Sequence, residues 1–289
     1  MSCVFLNGAL VPDSEARVSV RDRGFLYGDS VFETLPVYSG QVFLLAEHLG
    51  RLAASADRVL LRLPWTSGDL ARFVTTTIEA NGLDRGSLRL TVSRGTGPPG
   101  IDPLAHCEPT LVISPAAARN HDADRERGVD VVVSSVPKTP TEALPADAKA
   151  GNWLNHILAR RDASEAGAFE ALLLHADGSV AEGTVSNVFA VRGRTVMTPP
   201  ADGRILPGIT RWAVLHLLAQ LGITAQERAL SPTDLGAADE VWLTNSLIEI
   251  LPVRSLDGAA LGGQWPICRH VHQAYAEWIG RECAGAGRR

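Results

Sequence analysis

Lysine is nearly absent from this 289-residue chain: 25 of its 27 basic residues are arginine, and Lys138 and Lys149 are the only two lysines. Chemistry that needs a side-chain amine therefore has two candidates. Cysteine is sparse as well. Cys3, Cys107, Cys268 and Cys283 stand far apart with no C-x-x-C spacing, which argues against a zinc knuckle or a redox pair and fits a reducing compartment. No apolar run approaches the roughly 18 residues of a membrane helix. The opening residues Met1–Asn7 lack the basic and apolar regions of an export signal. Neither export nor membrane spanning is expected, and the cytoplasm is the expected location. An excess of basic charge is missing too: the formal net charge is −5 with both signs spread along the chain, so no nucleic-acid footprint or polybasic anchor is expected. What remains is 45 % apolar and 20 % charged, the composition of an ordinary soluble globular protein with one or two domains.

Short apolar stretches between turn dipeptides open the chain. Residues 3–6 precede Asn7-Gly8, and Val31–Tyr38 and Gln41–Leu45 flank Ser39-Gly40, so two hairpins are predicted. Leu45, Leu49, Leu52, Ala56, Val59, Leu60 and Leu63 recur at intervals of three and four, predicting a helix that runs to Pro64. A second helix is predicted from Ser67 as N-cap to Asn81-Gly82. Strands are predicted at 87–94, 109–114, 129–135, 169–175, 184–191 and 195–197, and helices near 151–166, 210–221 and 266–280. The polar stretch between Ala116 and Gly128 breaks this pattern. The expected organisation is α+β with two domains: a small N-terminal domain at 1–117, a linker at 118–127 and a larger C-terminal domain at 128–289.

Three local patterns mislead. Gly95-Thr96-Gly97-Pro98-Pro99-Gly100 satisfies G-x-G-x-x-G, but its prolines offer no N–H to a pyrophosphate and no helical period follows, so a rigid loop is predicted. Cys268, His270 and His272 are two apart on a predicted helix and point in different directions, so no metal site is expected. His48 lies between apolar helix positions and reads as a packed, hydrogen-bonded histidine.

Chemistry concentrates elsewhere. Lys149, in Ala148-Lys149-Ala150-Gly151-Asn152-Trp153, has small and apolar neighbours at the lip of a predicted helix. Desolvation of an amine favours its neutral, nucleophilic form, the requirement for a Schiff base; a surface lysine at a helix start is the plainer alternative. Glu182 shares a strand face with Val180, and a carboxylate facing a core needs a cationic or donor partner. A protonated pyridine nitrogen meets that need, and so does a structural salt bridge to an arginine. Leu206-Pro207-Gly208-Ile209-Thr210-Arg211 leads into an amphipathic run, where free N–H groups make either an anion site or merely a capped helix. Arg51 offers a bidentate fork for phosphate or is an ordinary surface arginine at helical spacing, and Thr244 ends a strand with small polar side chains that face a ligand or form a turn. Schiff-base lysine, carboxylate and phosphate cradle together describe pyridoxal phosphate.

At this point the residues match a family. From Asn7-Gly8 to about Leu256 the chain resembles the class IV, or fold type IV, pyridoxal-phosphate enzymes: branched-chain and D-amino-acid aminotransferases and 4-amino-4-deoxychorismate lyases. The blocks that carry the resemblance include Asp22–Asp29, Val31-Phe32-Glu33-Thr34, His48–Leu52, Lys149-x-x-Asn152, Glu182-Gly183-Thr184 with Ser186-Asn187, Ile205–Arg211 and Thr244-Asn245-Ser246. The resemblance implies that Lys149 carries pyridoxal 5'-phosphate as a Schiff base, that Glu182 pairs with the pyridine nitrogen, and that Arg51, Ile209, Thr210 and Thr244 hold the phosphate. Tyr27, Phe32 and Thr34 would face the substrate, with Thr34 also helping proton transfer to the departing group. A homodimer with sites near the domain boundary is implied as well.

The resemblance also has departures. Thr34 stands where branched-chain enzymes usually have Gly, and Thr244-Asn245-Ser246 resembles the lyase. Pro98-Pro99-Gly100-Ile101 replaces the Arg and His with which D-amino-acid enzymes grip a carboxylate, and Pro36 replaces a frequent Arg. The expected reaction is that of 4-amino-4-deoxychorismate lyase, giving 4-aminobenzoate and pyruvate for folate synthesis. A class IV transaminase is the alternative, and a cofactor-binding protein without turnover a third reading.

Overall fold

The computed structural model describes residues 2–284. Two compact units divide the chain: Met1–Arg119 with Ala148–Trp153 and Ile279–Arg289 form one, and Asn120–Asp147 with Leu154–Trp278 form the other. The segment that carries Lys149 thus belongs with the N-terminal strands although it lies within the second half of the sequence.

The first unit contains β1 (Cys3–Leu6), β2 (Ala9–Pro12), α1 (Arg23–Tyr27), β3 (Ser30–Tyr38), β4 (Gln41–Val42), α2 (Leu45–Arg58), α3 (Ser67–Asn81), β5 (Gly86–Thr96) and β6 (Glu108–Ala117). Its sheet runs β2-β1-β6-β5-β3-β4, every pairing antiparallel. Both predicted hairpin dipeptides turn with positive φ, at Asn7-Gly8 and Ser39-Gly40. The core joins Val31, Leu35 and Val37 of β3 and Leu88, Leu90 and Val92 of β5 to Leu49, Leu52 and Ala56 of α2 and Leu70, Val74 and Ile78 of α3.

Among the boundaries that differ from the sequence reading, three have a local cause. The strand expected over Gln41–Leu45 stops at Val42, because Leu44 takes a left-handed conformation (φ 56°) and starts α2. The helix expected to reach Pro64 ends at Arg58, and Leu60, again left-handed, turns the chain. The N-cap of α3 is Thr66 rather than Ser67; its hydroxyl accepts from the Asp69 N–H while the Asp69 carboxylate accepts from the Thr66 N–H.

The second unit contains α4 (Asp122–Arg127), β7 (Val129–Val133), α5 (Leu154–Glu165), β8 (Glu170–Leu174), β9 (Val180–Gly183), β10 (Asn187–Arg192), β11 (Thr195–Thr198), α6 (Ile209–Gln220), β12 (Thr224–Glu227), α7 (Pro232–Gly236), β13 (Glu240–Asn245), β14 (Glu249–Leu256), β15 (Ala259–Ala260) and α8 (Pro266–Cys283), of which residues up to Trp278 belong here. Its mixed sheet runs β12-β11-β10-β13-β14-β7-β8-β9, with β15 added to β14. The polar stretch 118–127 is not wholly irregular, since it holds α4. Val131, Leu172, Val180, Val188, Leu243 and Leu251 contribute to the core. Among the described residues no helix is long and apolar enough to cross a membrane.

Candidate active site

In the first unit, Lys149 is fixed by backbone pairing along the edge of β3 opposite β5. The Phe32 N–H donates to the Lys149 carbonyl (3.0 Å), and the Gly151 N–H donates to the Ser30 carbonyl (2.7 Å). The Lys149 N–H donates to Ser55 Oγ of α2 at 3.0 Å. A Cβ on Gly151 would stand 2.1 Å from Ser30 Oγ, so this close approach requires glycine.

Lys149 Nζ lies 4.6 Å from the centre of the Phe32 ring and 5.3 Å from that of Trp153, and the two rings meet edge to face at 5.2 Å. Strand alternation places Phe32 and Thr34 on the face of β3 opposite the core residues Val31, Glu33 and Leu35. Register puts Thr34 opposite Arg89 of β5, and the Arg89 guanidinium lies 3.8 Å from the centre of the Phe32 ring. Among the described residues no carboxylate pairs with Arg89, and burial lowers its pKa. Sequence reading missed Arg89, since one arginine among 25 carries no signal by itself. Tyr27 ends α1 exposed, with the Arg23 guanidinium 5.7 Å from its ring centre.

Behind that face, Arg51 is engaged by Glu33. Its Nε and Nη2 donate to the two carboxylate oxygens, each at 2.7 Å, and His48 Nδ1 lies 2.8 Å from Glu33 Oε2. Burial by itself would raise the Glu33 pKa, but the Arg51 charge and the hydrogen bonds from Arg51 and His48 outweigh it and bring it down to about 2. Burial lowers the His48 pKa, and the positive charges of Arg51 and Lys149 add to that effect. His48 is thus the hydrogen-bonded packing residue expected from its spacing.

In the second unit, Glu182 lies on β9, 4 % exposed, on the same buried strand as Val180. Its partner is a lysine rather than the arginine that the sequence suggests: Lys138 Nζ donates to Glu182 Oε1 at 2.5 Å. Glu182 Oε2 accepts from the Leu206 N–H (3.1 Å) and from Asn187 Nδ2 (3.5 Å). Asn187, opposite Thr244 in the β10–β13 register, also donates to the Leu206 carbonyl at 3.1 Å. Glu170 organises the turn after Glu182: its buried carboxylate accepts from Thr184 Oγ1, Ser186 Oγ and the Val185 N–H. Sequence reading missed the roles of Glu170 and Asn187 because both depend on pairing across strands.

The phosphate residues of this unit fit an anion. Gly208 is the N-cap of α6, with no side chain capping it, and Ile209 and the buried Thr210 are its first two residues. A Cβ on Gly208 would meet Asn187 Oδ1 at 2.0 Å, so the loop lies tight against β10. Thr244 is 1 % exposed and its Oγ1 is buried without a hydrogen-bond partner. An orphaned buried hydroxyl beside a strand end is unfavourable unless a ligand satisfies it. The first unit therefore offers an amine, and the second a carboxylate and anion donors, functional groups that pyridoxal phosphate requires. Among the described residues no group of His, Cys, Asp or Glu could hold a metal; His272 instead faces Glu249 at 2.9 Å.

Comparison with known proteins agrees with this chemistry. The chain is 38 % identical over 261 residues to a Methanocaldococcus jannaschii protein provisionally named a branched-chain-amino-acid aminotransferase, covering 90 % of each. It is 33 % identical over 283 residues to the D-alanine aminotransferase of Bacillus licheniformis, covering 97 % of this chain and 98 % of that protein. Among solved structures, a branched-chain amino acid aminotransferase from T.th., crystallised with pyridoxamine 5'-phosphate, superposes with a TM-score of 0.91 at 31 % identity, covering 98 % and 97 % of the two chains. The 4-amino-4-deoxychorismate lyase of Pseudomonas aeruginosa gives 0.83 at 31 % identity, covering 95 % and 98 %. The family model for amino-transferase class IV matches residues 30–256. The fold is that of the fold type IV enzymes, and the chain belongs to the class IV aminotransferases.

Proposed function

We propose that this pyridoxal-phosphate enzyme is a transaminase, moving an amino group from an amino acid to a 2-oxo acid. One observation carries the reading. Lys149 Nζ and the Arg89 guanidinium, which has no carboxylate partner among the described residues, stand over the same Phe32 ring. An amine for the amino group beside a planar fork for the carboxylate suits an amino acid. Relatives matched over at least nine-tenths of the chain carry aminotransferase names. Pro98-Pro99-Gly100-Ile101, in place of a carboxylate-gripping Arg and His, favours an aliphatic L-amino acid over D-alanine.

Pyridoxal 5'-phosphate supplies a carbonyl for the amino group and a ring that withdraws electrons from the neighbouring carbon. The roles proposed for the chain follow from its residues. Lys149 holds the cofactor and then moves the proton at the amine-bearing carbon. Glu182 keeps the ring nitrogen protonated. Thr244 and the α6 start at Ile209-Thr210 bind phosphate, and Arg51, braced by Glu33, adds charge for it. Phe32, Thr34 and Tyr27 face the substrate, with Thr34 opposite Arg89 in the strand register. Assembly as a homodimer is part of the proposal, as is a cytoplasmic location, which the four free thiols support.

A lyase acting on 4-amino-4-deoxychorismate is the second reading, supported by the Pseudomonas aeruginosa structure and by Thr244-Asn245-Ser246. The deciding assay supplies L-leucine or D-alanine with 2-oxoglutarate in one arm, and aminodeoxychorismate without an acceptor in the other. Glutamate formation in the first arm supports the transaminase. Release of 4-aminobenzoate in the second, with no glutamate in the first, replaces it with the lyase.

A further inference from the structure

Lys138 has no part in the chemistry proposed above, yet it is as buried as the residues that do: 7 % exposed, with its Nζ 2.5 Å from Glu182 Oε1 and 3.1 Å from His156 Nε2. Its backbone is tied as well. After β7 the chain continues alongside β8, with the Ser134 N–H donating to the Leu172 carbonyl and the Lys138 N–H to the Leu174 carbonyl. In β9, Glu182 stands opposite Leu173. Two strand-like segments flanking β8 thus bring the ammonium and the carboxylate together.

The tautomer of His156 follows from its neighbours. Its Nδ1 lies 2.7 Å from the Thr184 carbonyl, which can only accept, so Nδ1 carries the proton. Nε2 is then a lone pair, and the Lys138 ammonium donates to it. Lys138 is accordingly held from two sides, by the His156 imidazole and by the Glu182 carboxylate. A carboxylate offers about four acceptor sites. Lys138, the Leu206 N–H and Asn187 Nδ2 take three of them, which leaves one on Oε1 for a further donor.

The geometry points to Lys138 as a positioning residue: it fixes the orientation of the Glu182 carboxylate, so that one edge stays available to the cofactor's ring nitrogen. This inference rests on the proposed role of Glu182. Without Lys138, a carboxylate this deeply buried loses its cationic partner and rotates toward water. That rotation loosens its bond to the Leu206 N–H, two residues ahead of the α6 N-cap. The loop before the proposed phosphate site would lose an anchor at the same time.

The test uses the full-length protein, with Lys138→Met, Lys138→Arg, Glu182→Gln and the double variant Lys138→Met/Glu182→Gln. Pyridoxal 5'-phosphate is titrated into each apoprotein and followed by tryptophan fluorescence and by the ratio of visible to near-ultraviolet absorbance. Lys138→Met should weaken cofactor binding about tenfold or more and change that ratio, as expected when one partner of a buried pair is removed. Lys138→Arg, which restores a cation, should stay within about threefold of the parent. In the Glu182→Gln background, adding Lys138→Met should change neither reading further, because the lysine acts through the carboxylate.

Parent-like affinity and spectrum in Lys138→Met, or additive losses in the double variant, would overturn the inference. Should Lys138→Met fail to melt cooperatively, recovery of cooperative melting in the double variant supports the pairing and continued failure sinks it. Borohydride reduction and peptide mapping of the parent protein test the underlying reading separately. Label on Lys149 leaves the question to the variants, whereas label on Lys138 makes it the attachment site and ends its positioning role.

Discussion

The Arg89 guanidinium lies 3.8 Å from the centre of the Phe32 ring, to which Lys149 Nζ also comes within 4.6 Å. A cation stacked on an aromatic ring keeps its in-plane N–H donors free for a carboxylate. Arg89→Lys should therefore raise KM for the amino-acid donor about tenfold or more, in line with a lost charge-assisted hydrogen bond. Cofactor affinity should not change. Steady-state kinetics with the donor as varied substrate reads the effect, and an unchanged KM removes Arg89 from substrate recognition.

Lys149→Ala should abolish the visible absorbance of the reconstituted protein and lower turnover by at least about 10²-fold, the scale of a lost proton-transfer group. Lys149→Arg should not rescue it, because a guanidinium stays protonated. Retention of a reducible cofactor linkage in Lys149→Ala would refute the assignment.

Thr244 Oγ1 is buried with no partner, so replacing it by an isosteric apolar group removes a cost from the apoprotein and a donor from the phosphate. Thr244→Val should leave the apoprotein melting temperature unchanged or raised, while weakening pyridoxal 5'-phosphate binding about tenfold. Affinity for pyridoxal, which lacks the phosphate, should stay the same. Equal losses for both ligands would place the hydroxyl elsewhere.

Acid should destabilise the protein in two stages. The His48 pKa is lowered by burial, so below its ordinary value of 6.5 the unfolded chain binds a proton that the folded one does not, and stability falls as pH drops toward the folded pKa. Burial would raise Glu33, but Arg51 and His48 lower it from 4.5 to about 2, so its contribution is complete above 4.5 and is lost as pH falls through about 2. Urea unfolding across mildly acidic pH measures the first stage, and His48→Gln should flatten that slope. An unchanged slope would show that another group is titrating.

Much of this site was legible in one dimension because its signals are local. The lysine scarcity left two candidates for amine chemistry, and the family resemblance, through Lys149-x-x-Asn152, pointed to Lys149. Gly208-Ile209-Thr210 announced a helix start, and the alternation of Val180 with Glu182 placed a carboxylate on a buried strand. His48 was correctly read as a packing residue from its spacing. Two of the boundaries that failed did so at Leu44 and Leu60, leucines with positive φ, a conformation that leucine does not advertise. The reaction was read toward the lyase from a few short motifs, whereas the names of the sequence relatives favour the transaminase alternative.

Sequence by itself determined which residue types could perform the chemistry, because those follow from spacing along one strand, one helix or one turn, and its ordered motif blocks carried the resemblance that named the family and fold class. Only the tertiary structure decided which charge meets which. Lys138 meets Glu182 across 44 positions of sequence, Arg51 meets Glu33 across 18, and Arg89 reaches Phe32 through strand register. Ion pairing and burial depend on distances through space, and those are set by sheet pairing and core packing that no local pattern encodes.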